Sequence, residues 1–254
     1  MEPQPPAWES DSLSKYFQDA EYNERVTALR YPAEYALLQR VQQAFERAEE
    51  SAEKGFARST VLPRILLARA HSAFLAAVRL ALSGQSIEGQ TVLRSGIEQA
   101  WYALHTSTDP APFARAESWL RRHESDEATA RSQQEFSVSN VKTTHEGIDA
   151  DGARAMHWLY KTLIDFGGHP NQRGVLGAIK RDEDDEKIDY KVGILQPDEK
   201  RIMMALKLAV AVALGALRIF RHMYPERFAI VGLDDGIRDL ERGADALFKQ
   251  YATA

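Results

Sequence analysis

The helical period of the stretch from about Ser86 to about Thr108, SIEGQTVLRSGIEQAWYALHTST, constrains this chain more than any other feature. Arg94, Glu98, Trp101 and His105 recur at i, i+4, i+7 and i+11 and share one stripe, with Leu93, Ile97, Ala100 and Leu104 forming an apolar stripe beside it. A helix carrying both belongs at the centre of a bundle. Its apolar file needs a core, and its charged, aromatic and imidazole groups need partners on neighbouring helices.

The flanking sequence supplies those neighbours. Tyr35, Leu38, Val41, Phe45 and Ala48 predict a helix from about Pro32 to Lys54, with proline in its first turn and Gly55 at its stop. Ser59 or Thr60 caps a second, largely apolar helix that tolerates Pro63 in its first turn and ends at Ser83-Gly84. The short turn that follows makes this helix and the central one antiparallel neighbours. Asp109-Pro110 closes the central helix, and a charge-rich helix is expected from about Phe113 to Gln134. Residues 136–151 read as a weak helix or loop, and a firmer helix runs from about Gly152 to Phe166, stopped by Gly167-Gly168. Alternation at Ile188, Tyr190, Val192 and Ile194 predicts a β-hairpin over about Val175 to Leu195, with the acidic run Asp182 to Glu186 as its solvated turn. A long alanine-rich helix then runs from about Asp198 to Tyr224, and a last one from about Asp234 to Tyr251. The expected fold class is all-α, a multi-helix bundle with one inserted hairpin. Residues 1–30 are expected as a flexible tail and residues 31–254 as one helical domain.

Composition removes whole classes of function. The absence of cysteine excludes disulfides, thiolate catalysis, zinc–thiolate sites and iron–sulfur clusters, and fits a reducing cytoplasm. A net charge of −5 argues against a generally basic surface for DNA. The stretch from Ile202 to Phe220 is interrupted by Lys207 and Arg218 and reads as a buried helix rather than a membrane span. The proline-rich N-terminus has no apolar segment of the kind a signal peptide needs. No phosphate-binding glycine loop and no Gly-x-Ser-x-Gly occurs in the chain.

The strongest constellation pairs the central helix with WLYKTLIDFGGHPNQRG. There Trp158, Thr162 and Asp165 fall at i, i+4 and i+7, and His169 follows on a glycine-permitted turn. If the two polar files face each other, Arg94 meets Glu98 or Asp165, and His169 meets a carboxylate. Two readings stand side by side. One is a ligand pocket of Arg94, Glu98, Trp101, Trp158, Asp165 and His169 with perturbed proton affinities; the other is a buried network that sets helix register. No Glu-x-x-His pair accompanies Asp165 and His169, so no metal and no cofactor are expected. His71 falls on an apolar stripe as a core histidine. His123 and His145 fall in polar segments, and His222 near a helix C-terminus, where a cation is favoured.

Two of these stretches, LRSGIEQAWYAL (Leu93 to Leu104) and LYKTLIDFGGHPNQRG (Leu159 to Gly174), resemble a group of uncharacterised bacterial helical proteins. These carry an Arg-Ser-x-x-Glu helix and a downstream His-Pro motif, and are distantly similar to HEPN-like bundles. The resemblance implies Arg94, Glu98, Asp165 and His169 as signature positions. Many HEPN proteins are metal-independent ribonucleases of toxin–antitoxin or defence systems, in which histidine assists a ribose 2′-hydroxyl and arginine steadies phosphate charge. The one pair here with the spacing of that chemistry is Arg64 and His71, with Leu66 where a polar residue is usual. The sequence thus leads first to a bundle binding a small molecule or partner. Its alternatives are a ribonuclease acting through His169 or His71 with Arg94 or Arg64, and a homodimer whose register the polar file sets.

Overall fold

A computed structural model describes residues 10–52, 58–109, 111, 113–168, 179–184 and 187–251 of the chain. Helix α1 (Ser12–Arg30) is capped by Asp11, whose carboxylate accepts from the Leu13 and Ser14 amides. Over residues 12–30 it stands where a flexible tail is expected, and residues 1–9 lie outside the described residues. Its buried positions are only Ala20 and Thr27, too sparse for an apolar period to reveal it. Polar contacts hold it instead: Asn23 donates to the Ser83 carbonyl at 3.1 Å, and Arg79 donates to Glu24 at 3.0 Å.

Helices α2 (Pro32–Ala52), α3 (Arg58–Ser83) and α4 (Ser86–Ser107) follow the predicted pattern. The most extensive packing in the fold is between α3 and α4. Two glycines of α4 permit it: a Cβ on Gly89 would lie 3.1 Å from the Ala77 carbonyl oxygen, and one on Gly96 would lie 3.2 Å from the Ala73 methyl. The predicted Phe113–Gln134 helix is two helices, α5 (Ala114–Leu120) and α6 (Asp126–Glu135), because Ser125 caps a fresh start with Asp126 and Glu127 in its first turn. Residues 136–151 contain a well-formed α7 (Val138–Glu146), capped by Ser137. Helix α8 (Ala150–Leu163) begins at the Asp149 cap and runs into a π-helical turn, Ile164–Gly168.

The hairpin inserted over about 175–195 is the part of the expected fold class that is corrected: the packed architecture is all-α. The extended pairing among the described residues is a short ladder of β1 (Ile179–Asp184) with β2 (Lys187–Val192), and no helix packs broadly on it, so it forms no layer of the fold. Its register sets Asp182 opposite Asp189 and Asp184 opposite Lys187. Part of the acidic run therefore lies in the ladder rather than in a turn. Residues 175–178 and 185–186 lie outside the described residues.

Helix α9 (Glu199–Met223) is the central post, packing on α2, α3, α4, α8 and α11. It is long and apolar enough to cross a membrane by composition, yet 72% of its apolar window is buried in the bundle. The chain then closes with α10 (Pro225–Ile230) and α11 (Leu233–Lys249).

Gly84 couples the α3–α4 turn to the start of α9. Its φ is +93°, its carbonyl accepts from the Gln196 amide at 2.9 Å, and a Cβ there would lie 2.8 Å from that nitrogen. Gly232 also has a positive φ, +65°, but a Cβ there would meet nothing within 4 Å. Gly84→Ala is expected to destabilise by roughly 2–4 kcal/mol and Gly232→Ala by about 1 kcal/mol, since only the first adds a backbone collision to the left-handed cost. Thermal melts of the two variants check the order.

Candidate functional site

Helix α4 delivers its polar file to a graded environment. Arg94 and Glu98 are half-buried and lie 3.7 Å apart along the helix. Tyr160, on α8, donates to Glu98 at 3.1 Å; burial, with Glu98 beside it, pushes the phenol up to about 12. Trp101 is wholly buried, its ring 5.5 Å from that of Tyr160. Of the partner stretch, Asp165 is exposed on the π-helical turn and Trp158 is 62% exposed, so Trp158 does not close a pocket over Trp101. His169 lies outside the described residues. The π-helical turn does dock on α4, where Thr91 donates to the Gly167 carbonyl at 2.7 Å.

His105, the last member of the file, is buried, with Nε2 donating to Glu135 at 2.9 Å and Nδ1 accepting from Thr144 at 2.7 Å. Arg115 donates to the same Glu135 oxygen at 2.9 Å. Burial, then the nearby Arg115 charge, holds this histidine below its ordinary range. The group is a clamp joining α4, α6 and α7. His71 is another clamp, between α2 and α3: Nδ1 donates to Glu49 at 2.8 Å, Nε2 lies 2.5 Å from the Gln42 amide oxygen, and the ring stacks on Phe45 at 4.6 Å. Arg64 is half-buried on α3, close enough to Tyr224 to influence its phenol. With both ring nitrogens of His71 engaged, neither is free to take a proton from a ribose hydroxyl.

The unexpected residue is His145. Its neighbours in sequence are polar, yet the structure buries it to 1% exposure at the end of α7. Val138, Val141 and His145 fall at i, i+3 and i+7, so the inward stripe of α7 was the signal that could have found it. Trp101 Nε1 donates to His145 Nδ1 at 3.1 Å. An indole nitrogen only donates, so Nδ1 must accept and the ring proton sits on Nε2. That Nε2–H has no hydrogen-bond partner among the described residues. Burial holds the ring's proton affinity down to about 4, against an ordinary 6.5, so it is neutral at pH 7.

His145 forms part of the wall of a cavity of about 350 Å³. Its floor is the α9 face from Lys207 through Val210, Ala211, Leu214 and Gly215 to Arg218. One wall is α8 (Gly152, Ala155, Met156, Leu159) and the other α11 (Glu241, Ala244, Asp245, Phe248). Gly215 makes room for α8, since a Cβ there would collide with the Met156 sulfur. At the rim Arg218 pairs with Glu241 at 2.5 Å. Nearby, His222 lies 3.3 Å from Asp149, which also caps α8. No cluster of three or more metal-ligating side chains occurs among the described residues.

Compared with protein-family models, curated proteins and solved structures, the chain matches none. The likeness to HEPN-like bundles therefore rests on its two sequence stretches alone, and the site is argued from its own geometry.

Because the folded-state affinity of His145 lies below that of the unfolded chain, the unfolded state binds more protons between pH 6.5 and about 4. Stability is therefore full above pH 6.5 and falls as pH drops, by at most roughly 1.4 kcal/mol per pH unit and about 3 kcal/mol in total from this group. His105 acts in the same direction. In His145→Gln, whose amide oxygen still accepts from Trp101, denaturant titrations from pH 7 to 4.5 are expected to show a visibly shallower decline than wild type.

Proposed function

We propose that the protein binds a small, largely apolar molecule in the cavity between α8, α9 and α11. The observation that carries the reading is the cavity itself, whose wall includes the buried, neutral His145, a residue whose Nε2–H has no acceptor among the described residues. An unmade hydrogen bond of this kind costs about 1–3 kcal/mol, although several other buried side-chain polar atoms, among them Tyr224 Oη and Trp119 Nε1, also lack a hydrogen-bond partner among the described residues. Aliphatic walls with a few polar groups, and a volume of about 350 Å³, fall within the ordinary range of small-molecule sites.

The reading keeps a small ligand as the function but places it away from the α4 file. Arg94, Glu98 and Tyr160 hold one another, and Trp101 serves the site from behind by fixing the His145 proton.

Nile red, a neutral dye that brightens in apolar surroundings, tests the groove without favouring either charge. Saturable brightening with wild type is expected, and Ala211→Trp, which fills the floor from a half-buried position, should abolish it while leaving the thermal midpoint nearly unchanged. No saturable binding by wild type, or equal binding by Ala211→Trp, would overturn the proposal.

A further inference from the structure

We infer that the groove's ligand is a short peptide of two or three residues with apolar side chains and both termini free. The inference rests on the groove being a ligand site. Its rim carries four charged side chains, and two of them, Arg218 and Glu241, satisfy each other at 2.5 Å. The other two, Lys207 and Asp245, are exposed and form no hydrogen bond or ion pair with any described residue. They are opposite in sign, and both line the cavity. A ligand with a single charge would satisfy one and leave the other facing its apolar body, whereas a zwitterion answers both.

The spacing of the two charges selects the kind of zwitterion. Helices α9 and α11 run antiparallel, since Arg218 meets Glu241 while the later Arg221 meets the earlier Asp234. Counting from Arg218 and Glu241, Asp245 stands across from about Leu214, which is seven residues beyond Lys207. At 1.5 Å per residue the two charges are rooted roughly 10 Å apart along the groove. The α-ammonium and α-carboxylate of a free amino acid reach both only if the Lys207 side chain lies back along the groove toward Asp245. An extended peptide advances about 3.4 Å per residue, so the termini of a dipeptide or tripeptide lie roughly 7–10 Å apart.

The remaining chemistry agrees. Between the two charges the groove offers Leu214, Ala211 and Met156, surfaces for aliphatic side chains and not for polar ones. The carboxylate terminus thus lies at Lys207 and the ammonium terminus at Asp245. Lys207 and Phe248 also line a second cavity, so the carboxylate end has open space beyond it.

The test is competition against Nile red by the tripeptide Ala-Leu-Ala, its N-acetyl form and its C-terminal amide, with free leucine as the short comparison. Ala-Leu-Ala is expected to displace the dye at least about tenfold more effectively than either blocked form or leucine, the scale of one lost charged contact. Lys207→Gln should erase the penalty for the amide but not for the acetyl form, and Asp245→Asn the reverse, while both variants still bind the dye. Dye binding with no displacement by Ala-Leu-Ala, or with equal displacement by the blocked forms, overturns the peptide inference and leaves the groove reading in place. Absence of dye binding removes the groove reading, and this inference with it.

Discussion

The hydrogen bond from Trp101 to His145 is the interaction through which the centre of this molecule and its candidate site become one problem. Trp101 is fully buried, with the Tyr160 ring of α8 against it, and its indole nitrogen must still find an acceptor there. Helix α7 supplies that acceptor. Once Nδ1 is committed as an acceptor, the ring proton sits on Nε2, and burial keeps the ring neutral. One packing decision on α4 thereby sets the tautomer of a histidine on α7.

The fold was legible in sequence wherever apolar periodicity was dense. The α2, α3, α4 and α9 helices appear close to their expected bounds because Phe45, Phe74, Ile97 and Leu217, among others, mark a continuous inward stripe. It was least legible where polar contacts do the holding. Helix α1 is anchored by an aspartate cap, an asparagine side chain and an ion pair, none of which has a period. The break at Ser125 hides inside a charged run that is helical on both sides. Alternation at Ile188, Tyr190 and Val192 points to a structural insert, but it describes a strand's two faces and says nothing of whether a helix covers either one.

The site was less legible, for a related reason. The α4 file at Arg94, Glu98, Trp101 and His105 is real as a stripe, yet each member found its own partner: Arg94 with Glu98, Glu98 with Tyr160, Trp101 with His145, His105 with Glu135 and Thr144. A stripe shows which groups share a face. It does not show which are satisfied, and unsatisfied groups are the ones available to a ligand. His145 is masked in the sequence because Lys142, Thr143 and Thr144 beside it are polar, although the face it shares with Val141 points inward.

The groove itself follows from how little α8 and α11 touch. Both pack on α9, but not broadly on each other, and the residues that line the space between them include five small ones, Gly152, Ala155, Ala211, Gly215 and Ala244. Larger aliphatic side chains at these positions would close the gap and bury more apolar surface, as they do around Val41, Ile97 and Leu217, which are essentially inaccessible. Neither an open apolar groove nor a buried donor without an acceptor stabilises a bundle, and here the two occur at one wall. Among the described residues, His71 and His105 engage both ring nitrogens, whereas His145, which lines the unfilled space, engages one, a combination that sets it apart from the other two.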